Sequence, residues 1–287
     1  MGGLGNQMFQ YAAGRALAIR HNTVLKLDMS FYQTNKEDET PRKFLLESMH
    51  INAERALPSE LPHLEGNISF FQQIKGVYLK LSKKSCDTVL LDFENRINDQ
   101  FFSSPDNTYL VGYWQSDKYF SSISELIRRE FTPIRIPDAF NQELSIYMGK
   151  TNSVSIHIRR GDYIHNPETQ AVHGICSLEY YQKCVETISG TIDNPEFFIF
   201  SDEPEWVKNN LDLDRPFTIL SHNATDMPMW DLWLMSRCKH NIIANSSFSW
   251  WGAWLNDNPG KVVLAPKQWF ADERLVTAVV PERWRRV

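Results

Sequence analysis

Cysteine is scarce in this 287-residue chain, and the four present, Cys86, Cys176, Cys184 and Cys238, include no C-x-x-C pair. That spacing excludes a zinc ribbon or a thioredoxin-like motif and leaves four reduced thiols as the expectation. No apolar run approaches the roughly 18 residues that a membrane-spanning helix needs. An excess of positive charge is absent too: 30 Lys and Arg stand against 35 Asp and Glu, a formal net charge of −5. Duplex recognition draws on a basic face, so nucleic acid is not an expected partner. The basic clusters at 80–84 and 283–286 read as solvated surface. There is no secretory signal, which predicts a cytoplasmic protein. There is no Walker A sequence and no G-x-G-x-x-G. His-x-x-x-His and Glu-x-x-His pairs are missing from any suitable place. The one Asp-x-Asp, Asp212-Leu213-Asp214, follows a predicted helix in a polar turn with no apolar strand to position it. No metal is therefore expected.

The residues present are 42% hydrophobic and 13% aromatic, ample for buried cores, and the length suits two ordinary domains or one large one. The second half alternates regularly. Apolar runs predict strands at 154–158, 197–200, 217–220, 241–244 and 262–265. Between them, helical spacing predicts helices at 177–189, 203–211, 226–237 and 248–256. Strands alternating with helices imply a parallel sheet covered on both faces. The first half is less regular. The chain opens on Gly2-Gly3-Leu4-Gly5-Asn6, then spaces Met8, Ala12, Ala16 and Ile19 as one helix face over 8–20, then reads as a strand over 23–28. A glycine loop of this kind normally follows a strand, and none precedes it here; the first sheet is expected to show a gap or an edge at its centre. Residues 30–100 read as helices with irregular links, 109–114 as a strand, 121–131 as a helix capped by Ser121 or Ser122, and 132–150 as a linker carrying Pro133 and Pro137.

Two short runs carry the chemistry. The first is His157-Ile158-Arg159-Arg160-Gly161-Asp162-Tyr163, a strand that ends in two arginines and an aspartate. Arginine is always charged and its planar fork matches phosphate oxygens. Two in succession cannot both point into a sheet, so at least one faces the crevice beyond the strand ends, where open α/β sheets bind ligands. An ion pair between one arginine and Asp162 is the structural alternative, and both can hold. The second run is Asn245-Ser246-Ser247-Phe248-Ser249-Trp250-Trp251-Gly252, a helix start with four small polar residues. Capping explains one serine. A positive helix end with unsatisfied N–H groups favours an anion. Trp250, Trp251 and Trp254 read as packing. A third run, Phe198-Ile199-Phe200-Ser201-Asp202-Glu203-Pro204, ends a strand in two carboxylates. One can accept the paired N–H groups of guanine while the other caps the next helix. The opening glycines let backbone approach a ligand closely.

Together, the opening Gly-Gly-Leu-Gly-Asn-Gln-Met-Phe-Gln-Tyr-Ala and the three runs above resemble bacterial alpha-1,2-fucosyltransferases, glycosyltransferase family eleven, from residue 2 to about 270. The His-x-Arg-Arg-x-Asp element is also similar to that of alpha-1,6-fucosyltransferases. The resemblance implies an α/β, two-domain GT-B-like architecture of Rossmann-like halves. It places an acceptor-side domain at 1–140, a GDP-fucose-binding domain at 151–270, and a tail at 271–287 that packs back on the first domain. It implies inverting, metal-independent transfer of L-fucose from GDP-fucose to the 2-hydroxyl of a terminal galactoside, on an oligosaccharide or glycolipid. GDP-fucose is then a substrate, no cofactor is needed, and peripheral association with the inner membrane face fits a glycolipid acceptor.

Carried over residue by residue, Arg159 or Arg160 holds the β-phosphate, and Asp162 and His157 shape the nucleotide pocket. Asp202 meets guanine. Asn245, Ser246, Ser247 and Phe248 form the phosphate-side helix start, and Gly5 and Asn6 complete the donor contacts. Gln7, Glu168 and His173 are acceptor-side candidates. Asp162, Glu168 and His173 follow the arginines and are candidates to deprotonate the acceptor, for which a loose transition state needs only a weak base. Two rivals stand beside this reading: another GDP-sugar transferase, and a carbohydrate-binding module suggested by the aromatic content.

Overall fold

The computed structural model describes residues 1–33, 42–62, 88–92, 96–161, 164, 170, 172, 174–271 and 278–287. The chain is α/β and divides into two compact units, Met1–Thr132 with Val276–Val279, and Pro133–Leu275 with Val280–Val287.

In the smaller unit, helix α1 (Leu4–Arg20) begins at Gly3, so the glycine loop is partly absorbed into its first turn. Short parallel ladders follow. One joins β1 (Lys26–Leu27) to β2 (Glu54–Arg55), and the other joins β3 (Thr88–Asp92) to β4 (Thr108–Gly112). No strand among the described residues links the two pairs. Two short α-helices, α2 (Gln100–Ser103) and α3 (Ser124–Glu130), and five 3-10 turns complete the described part of this unit. The unit is tied together by a buried polar knot. The Tyr11 hydroxyl donates to Glu130 at 2.5 Å, Arg15 pairs with the same carboxylate at 2.9 Å, and the Asn52 N–H donates to Tyr11. Satisfying each group in this way avoids the cost of an unpaired buried charge.

The larger unit holds α4 (Ala139–Lys150), β5 (Ser153–Ile158), α5 (Leu178–Ser189), β6 (Glu196–Ser201), α6 (Pro204–Asn210) and β7 (Phe217–Leu220). It continues with α7 (Met229–Arg237), β8 (His240–Ile242), α8 (Ser247–Leu255), β9 (Val263–Ala265) and β10 (Arg285–Arg286). The six strands form one parallel sheet in the order β10-β9-β8-β5-β6-β7. One face is apolar: Val154, Ile156 and Ile158 pack with Tyr181, Val185 and Ile188 of α5 and Val207 of α6. The other face carries α7 and α8, and Trp250, Trp251 and Trp254 are buried in that layer. Each such ring removes roughly 150–250 Å² from water, an upper-bound gain of about 4–6 kcal/mol.

The structure corrects several expectations. Residues 132–150 are no simple linker, because they contain α4, whose N-cap Asp138 accepts the Asn141 N–H at 2.8 Å. The expectation of helices through 30–100 fails at Thr88–Asp92, a fully buried strand. The strand read over 23–28 shrinks to two residues. The strand read to 114 stops at Gly112, where φ is +131°. A Cβ there would lie 2.1 Å from the Asp92 carbonyl oxygen. The helix at 121–131 opens on a 3-10 turn, Ser121–Ile123, without a side-chain cap. The end of the chain divides between units, with Arg285–Arg286 extending the larger sheet.

Candidate functional site

The strand order of the larger unit reverses at β5. The chain steps outward from β5 to β6 and β7, then returns to place β8 on the opposite side of β5. Such a switch leaves a crevice outside the carboxyl ends of the two diverging strands. Here those ends are His157-Ile158-Arg159 on β5 and Ala244-Asn245-Ser246 leading into α8.

Ser153, Ser155 and His157 point away from the apolar cluster formed by Val154, Ile156 and Ile158. Ser155 accepts a bond from Asn241, and the His157 ring tilts against Phe248 with centroids 5.5 Å apart. Arg159 follows directly on Ile158, the last residue of β5. Arg160 continues the parity of Ile158, toward α6. The ladder pairs Ile158 with Ser201, so the next positions bring Arg159 opposite Asp202 and Arg160 opposite Glu203. Both ion pairs form in that register. Arg159 meets Asp202 at 3.0 Å, and Arg160 Nε donates to Glu203 at 3.0 Å. The expected partner, Asp162, lies outside the described residues, as do Glu168 and His173.

Asp202 is held a second time, by the backbone N–H of Arg160 at 3.1 Å. Gly161 packs on its carboxylate: a Cβ at 161 would stand 2.4 Å from Asp202 Oδ2. Trp206 lies under the Arg160 guanidinium, 3.3 Å from ring centroid to Cζ. Gly161 and Trp206 are site residues that sequence reasoning missed. Trp206 stands one helical turn after Glu203, a spacing that could have flagged it.

The helix start sorts its residues. Ser246 is the N-cap and accepts the Phe248 N–H. Ser249 donates to the Ala244 and Ser246 carbonyls. Both are buried and spent on structure, whereas Ser247 and Phe248 are partly exposed. Asn245 is buried; its amide donates to the Trp269 carbonyl at 3.3 Å and its carbonyl accepts from Cys176.

His157 is fully buried, and Nδ1 has no partner among the described residues. Burial first, and the Arg159 charge second, push its pKa down from 6.5 to about 3. The ring is therefore neutral at any ordinary pH.

Three further candidates belong to the smaller unit. Gly5 and Asn6 sit in the first turn of α1, and Asn6 accepts a bond from Gln115 at 2.8 Å. Gln7 is buried, donates to the Gly2 and Lys43 carbonyls, and accepts from Leu45 N–H. Among the described residues no group of three or more His, Cys, Asp or Glu side chains is placed to hold a metal ion. None of their helices is long and apolar enough to cross a membrane.

A model of the family described as Glycosyl transferase family 11 matches residues 1–286. The chain is similar to an alpha-1,2-colitosyltransferase of Escherichia coli, 38% identical over 292 residues that cover 100% of this chain and 96% of the relative. It is 32% identical to the Escherichia coli O-antigen biosynthesis glycosyltransferase WbnK, over 94% of this chain and 93% of that one. Human galactoside alpha-(1,2)-fucosyltransferase 1 is 25% identical over 88% of this chain and 63% of its own length.

Proposed function

The chain belongs to glycosyl transferase family 11, and from that premise we propose that it transfers a 6-deoxy-L-hexose from its GDP-sugar to the 2-hydroxyl of a terminal galactoside, with inversion and without a metal. The observation that carries this reading is the sheet order, which sets the exit of β5, where Arg159 stands, beside the exit of β8, from which α8 starts. A guanidinium and a helix N-terminus together suit the diphosphate of a nucleotide-sugar. As the glycosidic bond breaks, negative charge grows on the departing GDP and positive charge on the sugar ring. Fixed donors at the diphosphate then lower the barrier, because they bind the leaving group more strongly as its charge develops. Neutral His157 packs beside Arg159 without competing for the phosphates.

L-Fucose is the first donor reading, supported by the motif resemblance. Colitose is the second, favoured by the colitosyltransferase aligned over the full chain. Colitose lacks the 3-hydroxyl of fucose. A pocket that hydrogen-bonds that hydroxyl rejects the deoxy sugar by about 10⁴-fold, whereas an apolar pocket discriminates far less. A cytoplasmic enzyme touching the inner membrane face fits a lipid-linked acceptor.

The test supplies GDP-fucose and GDP-colitose with lactose, lacto-N-biose, N-acetyllactosamine and free galactose, and reads linkage by NMR. An α-1,2 product is expected. Arg159→Ala should abolish turnover and weaken GDP binding by about 10- to 150-fold, the loss of a charge-assisted bond worth about 1.5–3 kcal/mol. Absence of GDP binding by calorimetry in the unmodified protein would overturn the reading.

A further inference from the structure

We propose that Arg160 is a positioning residue and not a donor ligand. Held between the Glu203 carboxylate and the Trp206 ring, it locks the exits of β5 and β6 together and leaves Arg159 as the guanidinium offered to the diphosphate. This rests on the reading of the crevice as a GDP-sugar site.

Four contacts fix residue 160. Its backbone N–H donates to Asp202 at 3.1 Å, and its carbonyl accepts the Ile164 N–H at 3.0 Å. Its Nε donates to Glu203 at 3.0 Å, and its guanidinium lies 3.3 Å over Trp206. Arginine stacks on an aromatic face while its edge pairs with a carboxylate, a combination lysine cannot reproduce. The side chain retains only 17% of its exposure. Parity sends it toward α6, whose Val207 belongs to the apolar cluster and whose Trp206 packs against it. Arg159, one residue earlier, pairs instead with Asp202. The link between the two runs through Asp202, which accepts from the Arg160 backbone with Oδ1 and pairs with Arg159 through Oδ2. Loosening residue 160 therefore loosens the carboxylate that orients Arg159.

The alternative assigns Arg160 to the phosphates and makes Glu203 its competitor. The two assignments give opposite signs for one substitution. If Arg160 were a ligand, Glu203→Gln would release it and tighten GDP. If Arg160 is a clamp, the same change weakens GDP.

The experiment measures GDP affinity by calorimetry for the unmodified protein, Glu203→Gln, Arg160→Ala, Arg160→Lys, Trp206→Leu and the Glu203→Gln/Arg160→Ala pair, with melting temperature recorded for each. Glu203→Gln and Trp206→Leu are expected to weaken GDP on the order of tenfold. Arg160→Lys should behave like Arg160→Ala, since charge without the stack does not restore the clamp. The double variant should be no weaker than Arg160→Ala alone, the non-additivity expected of one shared device. Unchanged or tighter GDP binding in Glu203→Gln, or recovery in Arg160→Lys, would overturn the assignment. Should Glu203→Gln fail to fold, Trp206→Leu carries the same sign test. Failure of the unmodified protein to bind GDP would instead refute the donor reading itself.

Discussion

Two adjacent arginines acquire different neighbours because each meets a different carboxylate at the exit of β6. That β5 runs out into a doubled guanidinium was readable from the sequence. What the sequence could not supply was the register with β6, which brings Asp202 and Glu203 opposite them. Gly161 escaped notice for the same reason: its need for a missing Cβ exists only because the Asp202 carboxylate lies beside it in space. Gly161→Ala should displace that carboxylate from Arg159 and weaken GDP binding by roughly tenfold, about one charge-assisted bond, with the fold retained. An unaltered affinity would mean that the carboxylate position does not matter. His157 gives a pH prediction. Its folded pKa of about 3 lies below the ordinary 6.5, so the unfolded chain binds the proton first as pH falls. Stability is unaffected by this group above 6.5 and declines as pH drops from 6.5 toward 3. At about pH 5 the cost is about 2 kcal/mol, or roughly 4–8 °C for a unit of this size. His157→Leu should reduce the fall in melting temperature between pH 7 and pH 5 by that amount. An equal fall in both proteins would assign the acid sensitivity elsewhere.

Elements of the larger unit were legible because each announces itself locally. The run Phe217–Leu220 is bounded by Pro216 and Ser221, and Ser177 caps α5 by accepting the Tyr180 N–H. The misreadings have physical causes. In α4 the exposed face carries Phe140, Ile146 and Tyr147, each about half exposed, which blurs the amphipathic pattern and hides a helix behind the two prolines that precede it. Thr88–Asp92 is buried on both sides, so it lacks the alternation that marks a half-exposed strand. The serine-rich start of α8 was read as an anion site, yet two of its hydroxyls are structural. Ser246→Ala removes an N-cap bond and should cost roughly 1 kcal/mol, lowering the melting temperature by about 2–4 °C. GDP affinity should fall far less than in Arg159→Ala. A comparable loss would return Ser246 to the phosphate contacts.

Across the whole molecule, the α/β class follows from the alternation of elements in the second half of the sequence, whereas the division into two units was implied by the family resemblance and not by that alternation. The strand order does not follow, because only long-range pairing decides that β8 returns beside β5. That return makes the switch point and gathers the His-x-Arg-Arg and Asn-Ser-Ser runs, more than 80 positions apart, at the carboxyl ends of two neighbouring inner strands. The same gathering bears on the metal. Transferases that rely on Asp-x-Asp neutralise the diphosphate with a bound cation, and here the one such sequence is turned to another use. The Asp214 N–H donates to Asp212 Oδ1 at 3.2 Å, in a turn where Asp214 has φ of +50° and both carboxylates are exposed. On the function proposed above, Arg159 and the helix end would balance the phosphate charge. Transfer should therefore persist in a chelator, with divalent ions stimulating only modestly by shielding released GDP. The measurement is turnover in EDTA against turnover with Mg²⁺ or Mn²⁺ restored. A complete loss that the metal reverses would mean that a cation carries the charge assigned here to Arg159 and α8.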